Sequence, residues 1–155
     1  MRPPPPSRIG KNHRRGVSTT LALVDEALCE FEHWAEGREA RSVLYREHNN
    51  LSPAQRKSLL AEVSKMRAVI GELRDALGLE AAGQEAAQSI WGRCSALREH
   101  LVELTGRHLR RYGKPAPGLA DYLDPRVDEL LRRLDRVSSL VSGNVPDAPR
   151  DARPA

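Results

Sequence analysis

Residues 52–79 constrain the fold more than any other stretch of this chain. Ser52, Pro53 and Gln55 supply an N-cap, a proline at the first helical position and a capping-box partner. Apolar residues then fall at Leu59, Val63, Met66, Ile70, Leu73 and Leu77, in alternating steps of four and three. That rhythm holds one seam on one side of an α-helix, so a helix over 53–77 is predicted, with its seam against a partner helix. Gly78 followed by Leu79 reads as a C-cap. A helix of this length runs ~37 Å, and covering its seam calls for neighbours of similar length.

Three further segments repeat the pattern. One spans about 81–112, with Ile90, Cys94, Leu97, Leu101, Leu104 and His108 on its seam and Trp91 and Tyr112 widening it. Glu80 and Glu85 near its start and Arg107, Arg110 and Arg111 near its end suit the helix dipole. A second, over 125–142, starts with Asp124 as N-cap and Pro125 behind it, and Gly143 stops it. The remaining helix, about 18–48, carries Leu21, Val24, Leu28, Phe31 and Ala35 on one face. Its stripe fades through residues 36–42, where Gly37 marks a kink or break, and resumes at Leu44 and Tyr45. Short connections between successive helices favour antiparallel neighbours. The expected fold is therefore all-α, an up-and-down antiparallel four-helix bundle over 17–145. The connection 113–124 is longer, and is expected to make one short turn whose Leu119, Tyr122 and Leu123 cover the bundle's open end.

The ends differ in kind from the body. Residues 1–16 hold four consecutive prolines and five basic residues without an acid, and 146–155 are equally poor in apolar groups. Both are expected to be disordered tails. The pI of 9.4 comes from the first of them. Residues 17–145 carry 18 basic and 19 acidic side chains, a net of −1. A phosphate-binding surface needs clustered charge on the folded body, so nucleic acid is expected to bind only through the basic arm 1–16. Nothing approaches the ~20 apolar residues of a membrane span, and no membrane association is expected. Cys29 and Cys94 form no disulfide framework, which suits the cytoplasm.

Catalytic and metal chemistry find little to stand on. A di-metal centre in a bundle needs two Glu-x-x-His motifs. Glu30 and His33 make one, and no second exists, so no metal or cofactor is expected. Cys94 lies on a seam as a small apolar residue, and carboxylates at Glu26 and Glu30 disfavour a thiolate at Cys29. His108, inward near a helix end, reads as a hydrogen-bonded core histidine. Residues 78–83, "GLEAAG", lack the lysine and the preceding strand of a phosphate loop. Arg132 and Arg133 find Asp128 and Glu129 at helical spacing, the pattern of a solvated face.

Arg93 and His100, seven apart, resemble the signature of the HEPN group of helical ribonucleases, an arginine followed after a few residues by a histidine. Arg41 and His48 share the spacing. The resemblance covers that one short motif, and implies RNA cleavage through Arg93 and His100. Arg93 is followed by Cys94 rather than by the polar residue such enzymes commonly carry. The leading expectation is instead a non-enzymatic interaction or adaptor module, binding an unknown protein or a second copy of itself. Its candidate contact residues are Trp34 at the edge of the first stripe, Gly92 and Gly106 at outward positions two heptads apart, and Tyr122.

Overall fold

A computed structural model of the chain describes Pro4 and residues 9–146. Most of the expected arm's prolines, and all of the expected tail beyond Pro146, lie outside the described residues. The fold is all-α. Four long helices form, α1 (Lys11–Ala35), α2 (Pro53–Leu77), α3 (Ala86–Val102) and α4 (Leu119–Ser142), with a short 3-10 turn at Leu109–Tyr112. Among the described residues there is no strand, only one isolated β-bridge between Arg41 and Arg46. No described helix is long and apolar enough to cross a membrane. The chain divides into two compact units, 1–82 and 83–155.

In the first unit, α1 and α2 pack as an antiparallel pair. Arg67 of α2 donates to both carboxylate oxygens of Glu32 at 2.9 Å, and its Nε lies 3.6 Å from Asp25. One helical span away, the Ser18 hydroxyl donates to the Glu80 carbonyl, so residue numbers fall on one helix as they rise on the other. Leu28, Ala35 and Val63 form the buried core of this unit. The bounds of α2 are those its capping box predicts. The Ser52 hydroxyl accepts from the Gln55 N–H and the Gln55 side chain accepts from the Ser52 N–H. Gly78 closes the helix in the left-handed region, φ 60° and ψ 46°, and the Leu79 N–H returns to the Arg74 carbonyl.

α1 departs from expectation at both ends. It begins at Lys11, so Lys11, Arg14 and Arg15 of the expected arm are helical, and it ends at Ala35 instead of running to 48. Gly37 is the physical cause of the stop. It sits at φ 75°, where the Arg38 N–H reaches back to the His33 carbonyl, and a Cβ there would collide with the Arg56 guanidinium.

In the second unit, α3 and α4 also run antiparallel. Arg98 pairs with Asp135, and eight residues on Gly106 meets Ala120 and Asp124. Cys94, Leu109 and Val127 are its buried core. The helix expected over 81–112 is shorter, because after Val102 the backbone tightens into i→i+3 turns. The Thr105 hydroxyl and N–H both donate to the Val102 carbonyl. The Gly106 N–H then leaves the helical ladder and donates to Asp124 Oδ1 at 2.8 Å. Asp124 is therefore spent on another segment rather than capping its own helix. α4 starts earlier, behind Gly118 at φ 79°, and Pro125 falls inside it. The turn expected around Leu119 and Tyr122 is the first turn of α4 itself. Pro125 has no N–H for the Asp121 carbonyl, and next to it the Arg126 guanidinium donates to the Tyr122 carbonyl at 2.8 Å.

Candidate functional site

The break at Gly37 leaves residues 38–52 to connect α1 to α2, and this connection is a built structure. The Glu47 N–H donates to the Ala40 carbonyl at 2.8 Å, and the Ser42 N–H to the Tyr45 carbonyl at 2.7 Å. With the Arg41–Arg46 bridge, these bonds fold 40–47 into a small hairpin whose tip is Val43 and Leu44.

Two carboxylates hold the hairpin from beneath. Glu47 Oε2 accepts from the Ala40 N–H at 2.7 Å and faces His33 Nε2 at 2.8 Å, while its Oε1 accepts from the Tyr45 hydroxyl at 2.9 Å. Glu39 accepts from the Asn49 N–H at 2.8 Å and from the Arg41 guanidinium at 2.9 Å. Asn49 completes the base, its side-chain amide donating to the Trp34 carbonyl at 2.6 Å and its carbonyl oxygen accepting from the Leu51 N–H.

The electrostatics follow from these contacts. The hydrogen bond to His33, then the Ala40 N–H, holds the Glu47 carboxyl below its ordinary value. The Asn49 N–H and Arg41 do the same for Glu39. Tyr45, bonded to a carboxylate, has its hydroxyl pushed up. Each shift favours the charged carboxylate and the neutral phenol, the state in which the hairpin's bonds are made.

What this scaffold presents to solvent is apolar. Val43 is 89% exposed, Leu44 98% and Tyr45 60%. Arg41 and Arg46 flank the tip. Arg41 is held by Glu39, and Arg46 is exposed with no partner among the described residues. Leu44 and Tyr45 were legible as apolar residues at helical spacing, and their place at an exposed tip overturns the expectation that they resume the α1 stripe.

Of the four sequence-predicted contact residues, the structure brings one to this site. Trp34 is half-buried at the hairpin's base, its carbonyl bonded to Asn49 and its ring edge-on to His33 with centroids 5.4 Å apart. The other three lie in the second unit. Gly92 is exposed on α3, with open space where a Cβ would stand. Gly106 is not at an outward position, since a Cβ there would lie 2.7 Å from Ala120 Cβ. Its lack of a side chain serves the approach of the chain's own α4. Tyr122 is 59% exposed, with the Arg126 guanidinium 3.7 Å over its ring.

The residues of the ribonuclease-like spacing are solvent-exposed. Arg93 and His100 sit two turns apart on α3, about 10 Å along its axis. Arg41 is paired with Glu39, and His33 of the lone Glu-x-x-His motif is engaged by Glu47 rather than Glu30. Among the described residues no group of three His, Cys, Asp or Glu side chains is placed to hold a metal ion. Cys94 is buried, and Cys29 is exposed with Arg67 Nη2 at 3.7 Å from its sulfur.

Comparison of the chain with protein-family models, with curated proteins and with solved structures finds no match.

Proposed function

We propose that this chain is a non-enzymatic protein–protein interaction module of the cytoplasm, and that the tip of the 40–47 hairpin is its principal contact. The observation that carries the reading is the exposure of Val43, Leu44 and Tyr45 on a backbone held by Glu47, Glu39 and Asn49. Leaving such residues in water forgoes roughly 1.5–3 kcal/mol for each large aliphatic side chain that a partner would bury. Ordering the loop is a cost that binding would otherwise have to meet, and the hydrogen bonds beneath the tip meet it in advance. Tyr45 adds a large ring whose hydroxyl is already fixed by Glu47, the type of residue that dominates binding energy in interfaces. Trp34, at the hairpin's base, supports the same site from α1.

The test is a paired retrieval from native lysate with the full chain and its Leu44→Asp variant as baits. Leu44 makes little contact with its own chain, so the substitution leaves the fold intact, which circular dichroism and a melting curve check. The reading expects partners held by the wild-type bait and lost, by at least about tenfold, from the variant; a fully buried leucine exchanged for a charge costs several times the ~1.4 kcal/mol of one decade. Identical protein sets on the two baits sink it.

A further inference from the structure

Two like-charged pairs stand within the first unit at similar spacing, and of their four members only Arg41 has its charge met within the described residues, by Glu39. On the hairpin, Arg41 and Arg46 face each other across the bridge, a placement that sets side chains about 5 Å apart and is unfavourable for equal charges. On α1, Glu26 and Glu30 are exposed and separated by one turn, about 5–6 Å. Neither carboxylate enters an ion pair among the described residues, and Arg46 is likewise unpaired there. The apolar surface between the charges is matched too. Leu23, 63% exposed, precedes half-buried Ala27 by one turn on the flank of α1 that Glu26 and Glu30 border. The hairpin offers an apolar centre with the cation of Arg46 at one edge, and α1 an apolar strip with an anionic edge.

We propose that the occupant of the hairpin tip is a second copy of this chain. Val43 and Leu44 of each protomer cover the Leu23–Ala27 strip of the other, and Arg46 of each faces Glu26 and Glu30 of the other. Such a pairing is isologous, with the same two patches meeting twice about a two-fold axis. The reciprocity matters because one tip is small. Specific interfaces need roughly 1,200 Å² in total, and the symmetry doubles each contact. A shaped partner also uses the fixed geometry of the tip, which a fluid lipid surface does not. This assignment rests on the hairpin being the contact site and goes beyond it in naming the partner.

Charge reversal by mixing tests it with the full chain. Sedimentation velocity on the wild type, over roughly 1 to 100 µM, is expected to show reversible dimers. Arg46→Glu sets acid against acid in its homodimer, and Glu26→Arg/Glu30→Arg sets base against base. Each variant alone is expected to shift the dissociation constant upward by at least tenfold. Mixed in equal amounts, the two restore both contacts of one heterodimer and are expected to sediment as dimers again. All three substituted side chains are exposed, so loss of folding does not confound the result, and the recovery on mixing excludes it. A wild type that stays monomeric, variants that dimerise as the wild type does, or a mixture that does not recover each overturns the proposal. A monomeric wild type overturns the dimer and leaves the hairpin's role in binding other proteins standing. Identical retrieval by the wild-type and Leu44→Asp baits removes that wider role instead.

Discussion

Glu47 shows how much one side chain can organise. It takes up the Ala40 N–H and the Tyr45 hydroxyl and faces His33, so the end of α1, one arm of the hairpin and the tip's aromatic residue share a single carboxylate. Glu39 plays the same part between Arg41 and Asn49. Both carboxyls are held below their ordinary value of 4.5 by these partners. A carboxyl whose value is depressed by folding contributes stability that is fully present above its unfolded value and lost as pH falls through the folded one. The hairpin is therefore expected to keep its order from neutral pH down to about 4.5 and to lose it below that. The amide resonances of Ala40 and Asn49 report the change. Shifts that stay native well below pH 3 would show that the carboxylates are not what hold the loop.

At the scale of the element, two glycines fourteen residues apart carry opposite expectations. Gly92 lies within α3 with open space around it, so Gly92→Ala is expected to stabilise by about 0.5–1 kcal/mol through helix propensity. Gly106 lies against Ala120, so Gly106→Ala is expected to destabilise by about 1–3 kcal/mol, because α4 must move to admit the methyl group. Urea unfolding of the two variants checks the sign of each. The same contrast explains which elements could be read from sequence. α2 was legible to the residue because a capping box and a left-handed glycine are local devices, complete within a few positions. The end of α3 and the start of α4 were not, because Gly106 and Asp124 find each other across 18 residues and only the fold makes Asp124 face away from its own helix. Leu44 and Tyr45 kept a helical spacing that the left-handed Gly37 overrides. The bonds that shape the hairpin, from residue 33 to 47, 39 to 49 and 34 to 49, join side chains to distant side chains or backbone in a way no periodicity encodes. Gly37, the polar run around it and the cap at Ser52 were the signs that the segment between them is not helix.

For the whole molecule, the near-neutral body and all-α architecture were visible in composition and seam spacing, and they set what remains to be explained. Two antiparallel helical pairs need no partner protein to explain their helices, and a bare connection of a few residues would join α1 to α2. The chain instead spends fifteen residues there and ends them in three exposed apolar side chains. The hairpin is expected to be ordered in the free protein, ready to bind. Amide hydrogen exchange of the full chain at neutral pH tests it most directly, read at Ala40, Ser42, Glu47 and Asn49, whose N–H groups are all engaged. Exchange at these four sites is expected to be slowed at least about tenfold relative to an unstructured peptide, and the slowing at Ala40 to vanish in Glu47→Ala. Exchange at the rate of a free peptide in the wild type would contradict the claim, and with it the reading of the tip as a preformed contact.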